Sequence, residues 1–358
     1  MFFQQAALSW ISTWKTKPEI FHCHDHHTGL IPFMIQQCPL FLSLKGIKTI
    51  FTIHNGLYTG AFSWSLINYL PHFYGEHKGF LDWDNTINPL ACAIKCCDKF
   101  TTVSQGYLEE LRAPSNPLKW LYDEYSFKSK GIVNGIDNDV WNPETDEALS
   151  VKFGGNWTDF KQENKTEICK SVGLPPELPL VIFIGRLNVE KGGELLTKAI
   201  GIFCNNNPKM NFYILGSGAN NIENEIRNLS GRYKNRVTNY IGYNETLAHQ
   251  LYAAADFILM PSLVEPCGLN QLYALRYATI PIVRSVGGLK DTVIDFGDEN
   301  GYGIRFNEAN VEDIVYSLNR ATALYQNQTQ LQKIREIGVN LDFSWDSAIK
   351  KYIELYKK

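Results

Sequence analysis

From residue 180 onward the sequence alternates short apolar runs with segments of helical period, and few folds accommodate that rhythm. Strands read at Leu180–Ile184, Asn211–Leu215, Val237–Ile241, Phe257–Met260 and Ile280–Val283, with helices between them at about 191–205, 219–230, 245–254 and 268–277. Strands of this length alternating with helices make βαβ units and a parallel sheet. Three further helices read near 311–325, 328–338 and 345–357. The first 160 residues are less regular. An amphipathic helix covers 1–14. Strands read at Glu19–Cys23, Lys48–Ile53, Lys99–Val103 and Gly131–Val133, with helices at Leu30–Gln37, near 86–97 and after Ser104. Residues 56–85 are aromatic and too long for a simple connector, which suggests a functional loop. Trp141-Asn142-Pro143 opens a polar, glycine-bearing linker to about 160. The expected architecture is α/β, with two doubly wound Rossmann-like domains facing a cleft.

Composition narrows the partners. The 358 residues are 44% hydrophobic and 20% charged, with a net charge of -3 and no long basic run, so nucleic acid and anionic membrane are not expected partners. Aromatic residues make up 13%, which suits sugar binding and a well-packed core equally. The eight cysteines show no paired metal spacing and fit buried thiols in a reducing compartment. With no signal core and no apolar run long enough to span a bilayer, a cytoplasmic protein is expected.

The chemistry gathers at the carboxyl ends of the strands, where open α/β sheets bind ligands. Met260-Pro261-Ser262-Leu263-Val264-Glu265-Pro266-Cys267-Gly268-Leu269-Asn270-Gln271 runs from a strand into a helix and carries one carboxylate, Glu265, and a glycine. A lone loop glutamate is either a solvated side chain or a ligand-reading one; the helix start that follows favours an anion. Gly185-Arg186-Leu187-Asn188-Val189-Glu190-Lys191-Gly192-Gly193 places two cations at another strand end. Arg offers a planar fork and Lys a point charge, a pair suited to a diphosphate, with a surface turn as the alternative. Gly216, Gly242 and the Gly287–Gly288 pair mark three more strand ends, and Tyr243 could stack on a nucleobase or simply pack. In His22-Cys23-His24-Asp25-His26-His27, strand alternation would set His22, His24 and His26 on one face. The spacing matches no common zinc signature, so contacts to sugar hydroxyls are the better expectation, with His54-Asn55 at a second strand end and facing the same cleft.

With these residues in view the chain resembles bacterial glycogen synthase and plant starch synthase, retaining glucosyltransferases of the GT-B fold. The likeness runs through nearly the whole sequence in HCHDHHTG, FTIHNGLYTG, FTTVS, IVNGIDNDVWNPETD, FIGRLNVEKGG, LGSG, IGYNE, ADFILMPSLVEPCGLNQLYALRYATIPIVRSVGGLKDTV and DFSWDSAIKKYIELY. Where the wider superfamily often has a second glutamate, eight residues after the first, this chain has Tyr273. The resemblance implies glucose transfer from ADP-glucose to the non-reducing end of an α-1,4-glucan, glycogen or starch, with retention of configuration and without cofactor or metal. It implies that Arg186, Lys191, Glu265 and His54 carry the reaction. Arg186 and Lys191, with Gly185, would hold the diphosphate, and Glu265 the glucose hydroxyls. The carbonyl beside His54 would offset positive charge on the sugar. Cys267, Gly268 and Leu269 would present amides to sugar or phosphate, while Gly242 and Tyr243 would flank the adenine. Asp25, Asn55 and Asn134 would line the first domain's side of the cleft.

The family pattern sets domain limits at 1–158, 159–341 and 342–358, the last a helix crossing back to the first domain. It also includes an opening strand and a Lys-x-Gly-Gly-Leu loop that meets the donor phosphate. No such loop occurs in these 358 residues. The length of family members, set against ordinary domain sizes, implies that about a hundred residues of the first domain are lacking. The alternative expectation is therefore a non-catalytic fragment that still binds ADP or ADP-glucose. A plant or algal source would move the expected compartment to the plastid.

Overall fold

The computed structural model describes residues 1–206 and 209–357. It divides into two compact units, residues 1–133 with those from Ile349 onward, and Asn134–Ala348. In the first unit β1 (Ile20–His24), β2 (Lys48–Ile53), β5 (Lys99–Thr102) and β6 (Ser129–Gly131) form a four-stranded parallel sheet in the order β1-β2-β5-β6. A small hairpin, β3 (Asp82–Trp83) with β4 (Thr86–Ile87), interrupts the aromatic stretch. Strand β2 reads as one apolar run because both its faces are covered, and Ile50, Phe51 and Ile53 are fully buried. The helix Pro89–Cys96 starts where the Asn88 side chain accepts the Ala91 N–H at 3.0 Å, with proline in its first turn. The strand expected at 131–133 lies two residues earlier, although Ile132 still donates to the Thr102 carbonyl at 2.9 Å. Leu355, from the terminal helix Trp345–Lys357, packs with Ile50 and Ile132.

The second unit holds β7 (Leu180–Ile184), β8 (Asn211–Gly216), β9 (Val237–Ile241), β10 (Phe257–Met260), β11 (Ile280–Arg284) and β12 (Ile304–Phe306). All six are parallel, in the order β12-β11-β10-β7-β8-β9. Side-chain alternation builds a core on each face. Val181, Phe183, Phe212, Ile214, Phe257 and Leu259 point to one side; Leu180, Ile182, Tyr213, Leu215, Ile258 and Met260 point to the other. Strand order reverses between β7 and β10, so the crevice outside their carboxyl ends is the ligand position of a doubly wound sheet.

In the second unit three elements depart from the sequence expectation. Residues 157–172 form a helix, not the end of a linker and a loop; Asn156 caps it, and Gly173 closes it at φ +73°. A short helix, Gly287–Thr292, and the edge strand β12 were also not expected. The boundary between units falls at 133/134 and not at 158/159, because residues 134–156 pack onto the second unit. Asp146 accepts hydrogen bonds from His249 Nδ1 at 2.7 Å and Tyr277 Oη at 2.5 Å, and Trp141 stacks on His249 and Tyr273.

Candidate functional site

The loops leaving β7 and β10 are joined by main chain. Leu263 and Val264 donate their N–H groups to the Glu190 carbonyl at 2.7 and 3.3 Å. Gly192 makes the approach possible: it sits at φ +71°, and a Cβ there would lie 2.1 Å from the Pro261 carbonyl oxygen. Arg284, at the end of β11, donates from Nε to Ser262 O and from Nη2 to Leu263 O, both at 2.9 Å. Asn270 Nδ2 donates to Ile184 O at 2.5 Å, and Gly288 N–H to Glu265 O at 3.0 Å. Both charged loops are thus fixed from several sides.

Within this frame Lys191 Nζ lies 2.7 Å from Glu265 Oε1 and 2.6 Å from Oε2, while Ser262 Oγ donates to Oε2 at 3.0 Å. The Glu265 side chain is 6% exposed and that of Lys191 25%. A buried carboxylate of this kind needs such a partner. Arg186 differs: its side chain is 64% exposed and, among the described residues, pairs with Glu190 alone, at 3.3 Å, an arrangement a stronger anion can displace.

Two adjoining cavities open here, sharing Ile184, Gly185 and Asn270. One, of about 170 Å³, is lined by Lys191, Ser262, Glu265, Gly268 and Leu269 among others. The other, of about 410 Å³, is mainly apolar and holds Trp141, Arg186, Gly242, Tyr243, Tyr252 and Tyr273. The first offers charge and hydrogen bonds, the second flat aromatic and aliphatic surface. Together they suit an elongated ligand with a polar end and a planar end.

The structure therefore gathers Gly185, Arg186, Lys191, Gly242, Tyr243, Glu265, Gly268 and Leu269 around one crevice. Cys267 lines neither cavity. Its thiol is buried, which pushes it up to about 12, and the Asn134 main chain hydrogen-bonds to it. Asn134 itself belongs to the second unit, not to the first-domain side where the resemblance would put it. Trp141, Tyr252, Asn270 and Tyr273 are lining residues that sequence reasoning missed. The signal was present for Trp141, whose aromatic ring interrupts an otherwise polar linker.

In the first unit Asp25 stands at φ +52° and turns its carboxylate inward: Oδ1 accepts the N–H of His54 at 2.8 Å and of Asn55 at 3.3 Å. These contacts shape the β2 exit loop. The left-handed turn at Asp25 also ends the strand, so His26 does not share the face of His22 and His24. Those two rings stack at 4.3 Å, and His24 Nδ1 lies 2.9 Å from His54 Nε2. Burial, then the neighbouring His24 and His54, lowers His22 to about 4. Asn55 Oδ1 accepts from Leu57 N–H at 3.0 Å and Tyr107 Oη at 3.4 Å. Among the described residues no group of three or more His, Cys, Asp or Glu side chains could hold a metal ion. No described helix is long and apolar enough to cross a membrane.

Comparison with known proteins places these features in context. Residues 1–124 match the starch synthase catalytic domain family, and residues 164–337 match glycosyl transferases group 1. The chain is 48% identical to glycogen synthase of Flavobacterium johnsoniae over 356 residues, covering 99% of this chain and 75% of that one. It is 35% identical to glycogen synthase of Desulforamulus reducens, covering 100% and 76% respectively. Among solved structures, the catalytic domain of starch synthase IV from Arabidopsis thaliana, bound to ADP and acarbose, superposes with a TM-score of 0.87 at 33% identity. That likeness covers 99% of this chain and 76% of the other. Sucrose-phosphate synthase from Thermosynechococcus elongatus, at 16% identity and a TM-score of 0.64, shares the fold.

Proposed function

The chain belongs to the glycogen and starch synthase family of glucosyltransferases, and from that premise we propose how its crevice handles a donor and an acceptor. The donor is ADP-glucose and the acceptor the non-reducing end of an α-1,4-glucan. The observation that carries this reading is the pair of joined cavities, with Lys191 and Glu265 at the polar end and Trp141, Tyr243 and Tyr273 at the aromatic end. Adenine takes the larger cavity, against Tyr243. The diphosphate lies across Gly185, within reach of Arg186 and Lys191. Glucose enters the smaller cavity, where Glu265 accepts from its hydroxyls and the Gly268 and Leu269 main chain borders it.

The chemistry is electrostatic. As the glucosyl–phosphate bond breaks, negative charge builds on the leaving ADP, and two cations held in a half-buried crevice stabilise it more than water does. Removing one such preorganised charge costs about 10²–10³ in rate. Lys191 is held by Glu265 before the donor binds, so its ammonium is already placed. Arg186 leaves Glu190 for the phosphate, exchanging an exposed ion pair of small worth for a bidentate one. In the first unit, Asp25 sets the loop that carries His54 and Asn55.

The test is glucan-dependent release of ADP from ADP-glucose, measured with and without glycogen. Release that requires glycogen supports the reading. Binding of ADP without release supports a nucleotide-binding role alone, and release from UDP-glucose but not ADP-glucose overturns the donor assignment.

A further inference from the structure

Helix 157–172 lies outside the crevice, yet it carries a lysine whose bonds reach two of the helices lining it. Lys161 is 2% exposed. Its Nζ donates to the carbonyls of Tyr252 at 2.9 Å and Tyr277 at 3.0 Å, and to Thr279 Oγ1 at 2.6 Å. Burial, then the nearby Arg335, pushes the Lys161 pKa well below the ordinary lysine value, while the three acceptors around Nζ match the three donors of the charged form. Tyr252 lies in the last turn of the helix Glu245–Ala254, and Tyr277 caps the carboxyl end of the helix Asn270–Arg276. Carbonyls at helix ends lack partners within their helix and attract a cation. Thr279 adds to the knot, with its hydroxyl 2.6 Å from Tyr252 O and 2.7 Å from Ala255 O. Between Tyr277 and Thr279 the chain passes through Ala278 at φ +56°, a left-handed conformation that alanine seldom adopts and that these bonds hold in place.

The same two helices supply Glu245, Ala248, Tyr252, Asn270 and Tyr273 to the larger cavity. We propose that Lys161 is a positioning residue for the donor site, one buried lysine whose Nζ pins the carboxyl ends of both helices and so fixes the walls around the nucleoside. The inference rests on the reading of that cavity as the nucleotide site. Lys165 provides the contrast. It is on the same helix and equally buried, but bonds Asp256 Oδ2 at 3.0 Å and Tyr325 Oη at 2.8 Å, neither of which lines the cavity.

The experiment compares Lys161→Met, the milder Thr279→Val and the control Lys165→Met in the full chain. Stability comes from urea melts, ADP affinity from calorimetry, donor KM and kcat from ADP release, and local opening from hydrogen exchange. Lys161→Met leaves buried carbonyls unpaired, and is expected to weaken ADP and raise donor KM by about tenfold or more, with kcat within about threefold. Thr279→Val is expected to move both in the same direction by less. Lys165→Met should lose at least as much stability while ADP affinity stays within about twofold of the parent. Amides of helices 245–254 and 270–276 should exchange faster in Lys161→Met than in Lys165→Met. Unchanged ADP affinity in Lys161→Met and Thr279→Val, or a loss that merely follows stability across all three variants, overturns the proposal. If the parent binds no ADP, the nucleotide reading of the cavity fails; exchange then decides the pinning, and equal exchange in both lysine variants overturns it.

Discussion

Lys191 Nζ sits within 2.7 Å of both carboxylate oxygens of Glu265, so the site's most buried acid and its best-placed cation neutralise each other before any ligand arrives. This relationship predicts an asymmetry. Lys191→Ala strands a carboxylate that is almost fully buried, and should cost about 3 kcal/mol of stability, whereas Lys191→Ala/Glu265→Gln should recover much of that loss. Glucan-dependent ADP release should fall by about 10²–10³ in both variants, because the charge facing the diphosphate is gone in each. Urea melts and ADP-release assays on the two variants check this. A double variant as unstable as the single one would show that the pair is not coupled.

Tyr243 is 83% exposed and its hydroxyl donates to Glu245 at 3.1 Å, so folding gains little from its ring. Tyr243→Ala should leave the unfolding midpoint almost unchanged while weakening ADP by roughly 1–3 kcal/mol, the usual worth of a base stacked on an aromatic ring. Calorimetry with ADP, set beside a thermal melt, separates the two effects. Equal ADP affinity in parent and variant would remove Tyr243 from the site.

At Gly192, left-handed backbone and a carbonyl oxygen 2.1 Å from any Cβ leave no room for a side chain. Gly192→Ala must part the loops that Glu190, Leu263 and Val264 join, and a loss of about 2 kcal/mol or more is expected together with weakened donor binding. Gly75→Ala, where a Cβ would meet nothing within 4 Å, should change neither. The comparison is read from urea melts and donor KM.

What could be read in the sequence follows from how each element is buried. Strands β7, β8 and β10 are covered on both faces, so Leu180–Ile184, Asn211–Leu215 and Phe257–Met260 stand out as apolar runs. The helix 157–172 is invisible by the same criterion because its buried positions include Lys161, Asn164 and Lys165, polar groups whose partners lie largely in other elements, among them the Tyr252 and Tyr277 carbonyls, Thr279, Asp256 and Tyr325. Of the site, Arg186, Lys191 and Glu265 were legible because charge in a strand-end loop is rare enough to notice. Asn134 falls in the second unit and not in the first, and its main chain hydrogen-bonds to the buried Cys267 thiol, a contact between residues too far apart in sequence to read from a motif. Trp141 was missed because a tryptophan sandwiched between His249 and Tyr273 depends on partners more than a hundred residues away.

His22 gives the first unit an acid-sensitive point. Burial, helped by His24 and His54, lowers it to about 4 from an ordinary 6.5. Between those values the unfolded chain carries a proton at this site that the folded chain does not, so stability rises with pH across the window. The contribution is complete above about pH 6.5, is lost progressively as pH falls toward 4, and amounts to roughly 2 kcal/mol after allowing for partial exposure. Both ring nitrogens are engaged, Nε2 with Thr52 Oγ1 and Nδ1 with Tyr356 Oη, each at 2.7 Å, so protonation also forces one hydroxyl to stop donating. His22→Gln keeps polar groups in place without a titrating one. It should be less stable than the parent at pH 7.5 and should flatten the loss between pH 6.5 and 4. Urea melts at half-unit pH steps measure both slopes, and identical slopes in parent and variant would exclude His22 as the group that titrates.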